Sequence, residues 1–397
     1  MKKVIDNIAD NLDGDESVIN VGVLFSHSGS MSVTEEAHLQ GTLLAISEIN
    51  EAGGVSGKKI SPIIENPNSD PVLCANLAKK ILLSGDDVPV IFGCCSSASR
   101  KATLPVVERS GCLLFYPSFY EGFEYSQSIY YTGATPNQTA IPLIEYLLNN
   151  YGKNFYLVGS DYVYPHEVNR IVKEFLEESG GNVLGEEYIN INSDVSEYRN
   201  VVSNIKRSNA DVIFSTVVGL DTVNLYNSYS ELGMDSKITP IASLTTSEGE
   251  LSLLDSKAKK GHITGSVYFS NIQAKENVEF VARFKEKFGD NAIPNVYSTT
   301  AYLQVYLFAK AMSVVGDNDI DKIATALSSL SMGTPLGTVS IDAISNHLNL
   351  RPRIGRSTSE GVFDIVWESE NDVVPDPYLV AYNRELMNKT KLYKNSK

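Results

Sequence analysis

The sequence is short of positive charge, cysteine and long apolar runs, and each shortage excludes a class of protein. Its 33 Lys and Arg residues are outnumbered by 48 Asp and Glu residues, which gives a formal net charge of −15 at pH 7. Proteins that bind nucleic acid directly need a basic face to neutralise phosphates, and no run rich in Lys or Arg is present. No apolar run approaches the roughly 20 residues that span a bilayer. Direct nucleic-acid binding and membrane insertion are therefore not expected.

The cysteines give no sign of a metal site. Cys74, Cys94, Cys95 and Cys112 form no CxxC spacing and have no paired histidine, which argues against zinc. In a reducing compartment we expect four buried thiols. A bridge from Cys74 to Cys94 or Cys112 is the alternative for an exported protein. We expect neither a metal nor a cofactor.

The first 17 residues form a polar leader without the features of a secretory signal. A basic pair, Lys2 and Lys3, is followed by Asp6 and Asp10, where a signal would have an apolar core. We therefore expect a cytoplasmic protein. A periplasmic or extracellular location is the alternative if a leader precedes the given sequence.

From Val18 onward, strand and helix signals alternate. Residues 18–25 form an almost continuous apolar run, which is typical of a strand covered on both faces. Ser32 and Glu35 have capping-box spacing before a helical pattern, which Gly53 and Gly54 end. The pattern restarts after residue 136. Such alternation predicts right-handed βαβ crossovers and two α/β units with parallel sheets.

The predicted elements extend over most of the chain. The strand-like segments are 18–25, 59–65, 89–92, 112–116, 155–158, 182–189, 211–214 and 238–242. The helix-like segments after the first helix are 71–83, 99–109, 139–151, 167–179, 195–208 and 221–232. Residues 277–312 indicate two helices separated near 291–294. Short β segments follow at 338–341, 348–354 and 362–367.

Hydroxyl groups and tyrosines follow several of the predicted strands. Ligands of open α/β sheets bind beyond the carboxyl ends of the strands, and two such units leave a crevice between them. Ser97 or Ser99 follows one strand, either as part of a site or as a helix cap. Tyr116, Tyr162 and Thr246 lie at or near the ends of three others. This arrangement favours a small-molecule pocket with a few fixed hydrogen bonds.

Signals of catalysis are weak. Residues 53–58 (GGVSGK) resemble a phosphate loop only out of register, and Lys59 replaces the hydroxyl residue that would hold Mg²⁺. Ser203 and Lys206 match an SxxK spacing inside an ordinary amphipathic helix. The chain contains no GxSxG, HExxH or GxGxxG motif. We therefore expect a protein that is not an enzyme.

Several of these strand-end segments resemble the AmiC-type amide sensors that repress bacterial amidase operons. Others look equally like the urea-binding proteins of urea transporters. The sensor-like segments are 159–165 (GSDYVYP), 214–219 (FSTVVG), 243–248 (SLTTSE), 120–126 (YEGFEYS) and 375–378 (PDPY). The segments shared with the urea-binding proteins are 97–101 (SASRK) and 114–117 (LFYP). The resemblance extends from about Val18 to Tyr382.

The resemblance implies a type I periplasmic-binding-protein fold of the α/β class. Two Rossmann-like lobes with parallel central sheets are then joined by about three crossovers that act as a hinge. The implied lobes are 18–135 plus 269–336 and 136–268 plus 337–397, after the leader 1–17. The family pocket falls on Ser97, Tyr116, Ser118, Tyr162, Tyr164 and Thr246, with Val217 as a wall. Cys95 stands where the family often has an aromatic residue.

The implied ligand is a small neutral amide, such as acetamide, or urea. At about −1.5 kcal/mol per atom, four heavy atoms allow roughly −6 kcal/mol, a Kd of tens of micromolar. This is close to the ~5.5 kcal/mol needed to drive a two-state protein from 1:99 to 99:1. Lobe closure therefore requires every polar group of the ligand to be paired. We find no pairing of an acid with an arginine among the pocket positions, which disfavours an amino-acid ligand.

Two functions remain in competition. The first is a cytoplasmic sensor whose lobe closure controls a regulatory partner, an antiterminator-type protein in the resembled system. The alternative is the substrate-binding protein of an ABC transporter for urea or short-chain amides. The sequence leaves the oligomeric state open, a homodimer included.

Overall fold

The computed structural model describes residues 4–6, 8 and 18–381. The first sheet has five parallel strands in the order β2-β1-β3-β4-β5. These strands are β1 Val18–Leu24, β2 Lys59–Glu65, β3 Val90–Gly93, β4 Leu113–Tyr116 and β5 Ile129–Tyr131. The helices packed with this sheet are α1 Ser32–Glu51, α2 Pro71–Leu82, α3 Ser97–Ser110, α10 Lys275–Phe288, α11 Val296–Val315 and α12 Ile320–Leu327. Together they form the first lobe.

The second sheet has seven strands in the order β15-β14-β10-β9-β8-β6-β7. Its parallel strands are β6 Asn154–Ser160, β7 Asn182–Ile189, β8 Val212–Thr216, β9 Ile241–Ser243 and β10 Ile263–Ser266. Strands β14 Arg353–Ser357 and β15 Phe363–Glu368 join it antiparallel. Its helices are α4 Ala140–Asn150, α5 Val163–Glu178, α6 Val195–Ser208, α7 Asp221–Glu231, α8 Glu248–Ser252 and α9 Ser256–Lys259. This is the second lobe.

Each sheet is covered by helices on both faces, as continuous apolar strands require. Successive side chains of a strand point to opposite faces. In β1, Val23 accordingly packs with α1 and α11, whereas Leu24 packs with α2 and α3. Helices α1 and α11 lie very close together, because a Cβ on Gly41 would lie 1.9 Å from the Ser298 carbonyl oxygen. Only glycine fits at position 41 without moving one of these helices.

A small third sheet lies against the first lobe. Strands β11 Ser331–Thr334, β12 Gly337–Ile341 and β13 Leu348–Asn349 are antiparallel. The buried side chains of Val339 and Leu348 belong to the core cluster of the first lobe. The chain passes between the lobes after β5, after β10 and after β13. The exact lobe boundaries stay a prediction.

The predicted α/β class and the alternation of elements are confirmed, with three local differences. Segment 348–354 was predicted as one β segment, but it splits into β13 and the start of β14, which belong to different sheets. Segment 238–242 was predicted as a strand, yet Ile238 is 72% exposed and β9 begins at Ile241. The expected Ser32 cap is absent, because Met31 is the residue that precedes α1.

Most of the predicted leader lies outside the described residues. Val4 and Ile8, which are described, are buried in the core of the first lobe. Within the described part of the chain, no helix is both long and apolar enough for a bilayer crossing.

Candidate functional site

The carboxyl ends of the parallel strands in the two sheets face each other across a cleft. In the first lobe, β3 leads to Cys95, and β4 leads to Ser118 and Phe119. In the second lobe, β6 leads to Tyr162 and β8 leads to Val218. Met31, Cys95 and Val218 form one buried cluster, against which Phe119 and Tyr162 pack. Residues from both lobes thus meet at the position where α/β proteins bind ligands.

The lobes are in direct contact at this cleft. The backbone N–H of Leu220 donates to the carbonyl oxygen of Ser30 at 3.4 Å. The Thr34 hydroxyl donates to Glu250 Oε1 at 3.2 Å. A Cβ on Gly219, whose φ is +61°, would lie 2.4 Å from the Ser30 carbonyl oxygen. The structure therefore shows the lobes closed on each other.

An aromatic wall borders the buried cluster. The rings of Phe119 and Tyr164 lie 5.1 Å apart, and Phe119 meets Tyr297 edge-on at the same distance. Tyr162 and Tyr164 are roughly stacked at 6.4 Å. Such pairs fix ring positions because they prefer defined geometries. The wall draws on both lobes, since Phe119 and Tyr297 belong to the first and the two other tyrosines to the second.

The hydroxyl of Tyr162 stands out among these groups. Its oxygen is buried and has no hydrogen-bond partner among the described residues. Burial raises the pKa of this phenol, helped by the neighbouring Tyr164 and Tyr116. A buried hydroxyl left unpaired costs roughly 1–3 kcal/mol. Tyr162 therefore presents an unused donor and acceptor inside the closed cleft.

Ser118 and Cys95 lie next to each other in the same cleft. Cys95 Sγ and Ser118 Oγ are 3.7 Å apart, and both residues are buried. Burial raises the pKa of the Cys95 thiol well above its usual range, so the sulfur stays protonated. The Cys95 side chain is thus small and neutral, and its protonated sulfur is a poor nucleophile.

Ser97 and Tyr116 are engaged with the protein itself. The Ser97 hydroxyl donates to Glu121 Oε2 at 2.5 Å. The Tyr116 hydroxyl lies 3.0 Å from the carbonyl oxygen of Cys95 and 2.6 Å from that of Phe119. Tyr116 therefore supports the two segments that carry Cys95 and Phe119.

A buried charge network lies directly behind Ser97. Arg100 is fully buried and donates to Glu121 at 2.9 Å and to Glu124 at 2.6 Å. Its guanidinium also lies 4.7 Å from the centre of the Tyr116 ring. This pairing was not predicted, because Arg100 and Glu121 lie outside the pocket positions and 21 residues apart. The two glutamates neutralise the charge of the arginine, while its Nη1 is buried without a hydrogen-bond partner among the described residues.

Thr246 and Val217 are placed in the packing of the second lobe. Thr246 Oγ1 donates to Ser243 Oγ at 2.9 Å and accepts from the Tyr226 hydroxyl at 3.2 Å. Val217 packs with residues of β8 and α7. Of the predicted pocket residues, the structure thus brings together Cys95, Ser118, Tyr162 and Tyr164. Whether these residues bind a ligand stays a prediction.

A small cavity adjoins this group on the side of the interlobe crossovers. Its volume is about 50 Å³, enough for a few water molecules, since one needs roughly 10–15 Å³. Ser118, Phe119 and Tyr164 line it from the cleft, and Gly133 and Val267 line it from the crossovers. Tyr162 and Cys95 are not among its lining residues, so the cavity adjoins the buried cluster and does not contain it.

Four residues of the cleft were not selected from the sequence. They are Met31, Phe119, Val218 and Tyr297. Phe119 and Val218 each follow a selected position by one residue, so the strand-end signal was available for them. Tyr297 comes from the first turn of α11, whose capping box at Asn295 was the available signal.

Three buried carboxyl groups near the cleft, Glu35, Glu248 and Glu250, form no ion pair within residues 18–381. The pKa of Glu35 is raised by burial from 4.5 to about 7, and that of Glu248 likewise to about 7. Burial also raises the pKa of Glu250. Each accepts hydrogen bonds only, for example Glu35 from the backbone N–H of Ser26 at 2.9 Å.

No cluster of metal ligands is present in the part of the chain that the structure describes. The four cysteines are free and buried, as expected for a reduced protein. Cys74 Sγ and Cys94 Sγ lie 3.6 Å apart. Of the two disulfide bridges considered for an exported protein, the one between Cys74 and Cys94 would therefore join residues that are close in space.

The sequence is similar to those of binding proteins over most of the chain. Residues 19–384 match the family model described as periplasmic binding protein domain. The Leu, Ile, Val, Thr and Ala-binding protein of Pseudomonas aeruginosa is 24% identical over 76% of this chain and 80% of its own length. A limonene hydroxylase of Geobacillus stearothermophilus is 27% identical, but over only 36% of this chain and 26% of that protein.

Solved structures of similar shape are solute-binding proteins. One from Rhodopseudomonas palustris, bound to 3,4-dihydroxybenzoic acid, has a TM-score of 0.82 and 21% identity, and the match covers 91% of this chain and 99% of that one. The branched-chain amino acid transporter substrate-binding protein of Streptococcus pneumoniae, bound to isoleucine, has a TM-score of 0.77 and 18% identity, covering 91% and 100%. The two-lobed fold and the family match together lead to one conclusion: this chain belongs to the periplasmic binding protein family and has its type I fold.

Proposed function

We propose that this protein is the solute receptor of an ABC transporter, and that its lobes close over a small neutral molecule of the urea or short-chain amide class. The receptor interpretation fits the relatives, several of which are ABC transporter solute-binding proteins. The relatives described above do not support the first interpretation, a cytoplasmic sensor with an antiterminator-type partner. The receptor interpretation therefore takes precedence, and with it a location outside the cytoplasm.

The observation that carries the proposal is the unpaired hydroxyl of Tyr162 in the closed cleft. A closed state in which the Tyr162 hydroxyl has no hydrogen bond to protein, ligand or water is less stable than one in which it is paired. A ligand with hydrogen-bonding groups would satisfy it and would favour closure, because a ligand shifts the equilibrium by its preference for one state.

The charges around the cleft support a neutral ligand. A carboxylate ligand would find no free cation, since Arg100 is paired with Glu121 and Glu124. Glu35 and Glu250 would repel a further negative charge when they are ionised, and burial raises the pKa of both, to about 7 for Glu35. The ligands of the two solved relatives, 3,4-dihydroxybenzoic acid and isoleucine, both carry a carboxyl group. We infer that this chain has a different ligand from theirs.

The groups near the cleft support a ligand with both donors and acceptors. The unpaired Tyr162 hydroxyl can donate or accept, and the Ser118 hydroxyl lies in the same cleft. Urea and primary amides combine several N–H donors with one carbonyl acceptor. The small cavity volume favours molecules of this size over larger solutes.

Isothermal titration calorimetry of the purified protein tests the proposal. Urea, acetamide and propionamide are compared with isoleucine and benzoate. We expect binding of at least one neutral compound, with a Kd of about tens of micromolar at best. Binding of isoleucine or benzoate alone would overturn the ligand class, and no binding by any of the five would count against this receptor function.

A pair of variants links binding to the cleft. Tyr162→Phe removes only the unpaired hydroxyl, and we expect affinity to fall by about tenfold, as for the loss of one hydrogen bond of roughly 1–1.5 kcal/mol. Tyr125→Phe is the matched control, since Tyr125 is 46% exposed and lies outside the cleft cluster. Equal affinity in both variants would contradict a role for Tyr162.

A further inference from the structure

The second lobe has a cavity of about 730 Å³ at the pole opposite the cleft. Tyr151, Lys237 and Lys260 line it, and each precedes the start of a strand, β6, β9 or β10. The cleft lies at the other, carboxyl end of these strands. The polar cavity, as we call this space, is therefore separate from the candidate ligand site.

Positive side chains outnumber negative ones in the lining of the polar cavity. The cationic residues are Lys237, Lys257, Lys260 and Arg356, and the acidic residue is Asp235. Within residues 18–381, none of the four cations forms an ion pair with a carboxylate. Asp235 Oδ1 accepts from the backbone N–H of Lys237 at 3.0 Å, so this carboxylate stabilises the turn at residues 235–237. The cavity thus carries a net positive charge.

The walls between these cations are fixed. The Tyr229 hydroxyl donates to the carbonyl oxygen of Thr239 at 2.8 Å. Nδ1 of His262 accepts from the backbone N–H of Ile241 at 3.1 Å, and burial lowers the His262 pKa to about 3, so the ring is neutral. Arg356 Nη2 donates to the Tyr151 hydroxyl at 3.1 Å. The cavity therefore has a hydrogen-bonded floor with exposed lysine side chains at its rim.

This concentration of positive charge is unusual for a chain whose net charge is −15. Elsewhere in the second lobe, some cations are paired with carboxylates, such as Lys173 with Glu186 at 2.6 Å and Arg199 with Glu231 at 2.9 Å, whereas Lys206 donates to the carbonyl oxygen of Leu232. One acid, Glu360, lies near the cavity; its pKa is lowered by a hydrogen bond from Ser359 and, to a smaller extent, by Lys260. Four cations facing one space repel each other unless an anion lies between them.

We propose that the polar cavity binds a polyvalent phosphate-type anion. Lysine and arginine side chains together suit phosphate oxygens, because the guanidinium fork and several ammonium groups can bind one compact anion. The volume exceeds the needs of a single orthophosphate, which favours a polyphosphate, a phosphate ester or the headgroup of a phospholipid. The proposal does not depend on the identity of the cleft ligand.

Calorimetry with inorganic tripolyphosphate at low ionic strength tests the site. We expect wild-type binding that weakens as salt is added, since screening reduces the attraction. We expect the double variant Lys257→Gln/Lys260→Gln to bind tripolyphosphate at least about tenfold more weakly than wild type, because it has lost two charge-assisted contacts. Lys58→Gln/Lys79→Gln is the matched control with the same change in net charge, as both lysines are exposed on the first lobe.

The source of the phosphate is distinguished in a second arm. Sedimentation with vesicles of phosphatidylglycerol and phosphatidylcholine is compared with vesicles of phosphatidylcholine alone. Binding of either tripolyphosphate or the anionic vesicles that is lost only in the cavity variant supports the proposal. Binding of neither, or equal losses in both double variants, overturns it. Unchanged circular dichroism and thermal midpoints of the variants exclude misfolding as the cause of a loss.

Discussion

Two groups of buried carboxyl groups flank the cleft and behave in opposite ways. Glu124 is paired with Arg100 and Lys101, and these cations lower its pKa despite burial, which acts in the opposite direction. Glu35 and Glu248 are buried without a cation, and the pKa of each is raised to about 7. The difference shows that burial alone does not decide the charge of a carboxyl group; its partners do.

The paired and the unpaired carboxyl groups lie in different parts of the molecule. The paired group lies behind Ser97 in the first lobe, where charge is fixed and neutralised. The unpaired group reaches both lobes, since Glu35 is in α1 and Glu248 begins α8. The carboxyl groups around the cleft thus differ in charge: Glu124 is held ionised by its cations, whereas Glu35 and Glu248 hold a proton more readily.

Removing the arginine should have the largest effect. Arg100→Met leaves Glu121 and Glu124 buried without their cation, and we expect a loss of about 3–5 kcal/mol in the free energy of unfolding. Guanidinium chloride is the denaturant of choice, because urea is a candidate ligand. Arg199→Met is the control: its ion pair with Glu231 is half exposed, and it should cost less than about 1 kcal/mol. Similar losses in the two variants would contradict a special role for the buried network.

The unpaired carboxyl groups should make stability depend on pH. Because the folded-state pKa of Glu35 is raised from 4.5 to about 7, the folded state holds its proton more tightly than the unfolded chain does. Stability is therefore fully present below about pH 4.5 and falls as the pH rises to 7, by roughly 3 kcal/mol for this group.

The variant Glu35→Gln keeps an acceptor for Ser26 but cannot ionise. Relative to wild type, we expect it to gain stability as the pH is raised from 5 to 8, measured by guanidinium unfolding at both values. Glu174→Gln, at an exposed position, should follow the wild-type curve. A constant difference between Glu35→Gln and wild type across this range would show that Glu35 ionises normally.

The hydrogen bond across the cleft should have the smallest effect. Thr34→Val removes the hydroxyl that donates to Glu250 in the other lobe. We expect ligand affinity to fall by up to about tenfold, since one net hydrogen bond contributes roughly 0.5–1.5 kcal/mol to closure. Thr325→Val, whose exposed hydroxyl donates to the carbonyl oxygen of Asp321, is the control and should leave affinity unchanged. A fall in both would point to an indirect effect.

The sequence predicts the sheets and part of the cleft because both depend on local patterns. The apolar runs become buried parallel strands, and their carboxyl ends meet at one edge, which brings Cys95, Ser118, Tyr162 and Tyr164 together. The remaining contacts depend on how helices dock. Tyr297 reaches the cleft only because α11 packs closely on α1, and Arg100 resembles a surface residue until the loop with Glu121 covers it. A local pattern such as the capping box at Asn295 marks the start of α11, but it does not show which residues the helix will contact.

A crystal structure of the protein grown with urea or acetamide tests the central claim most directly. The account predicts the small molecule between the closed lobes, within hydrogen-bond distance of the Tyr162 hydroxyl and beside Ser118. A closed cleft in which Tyr162 instead bonds to protein or water, with the compound absent or bound elsewhere, would contradict it.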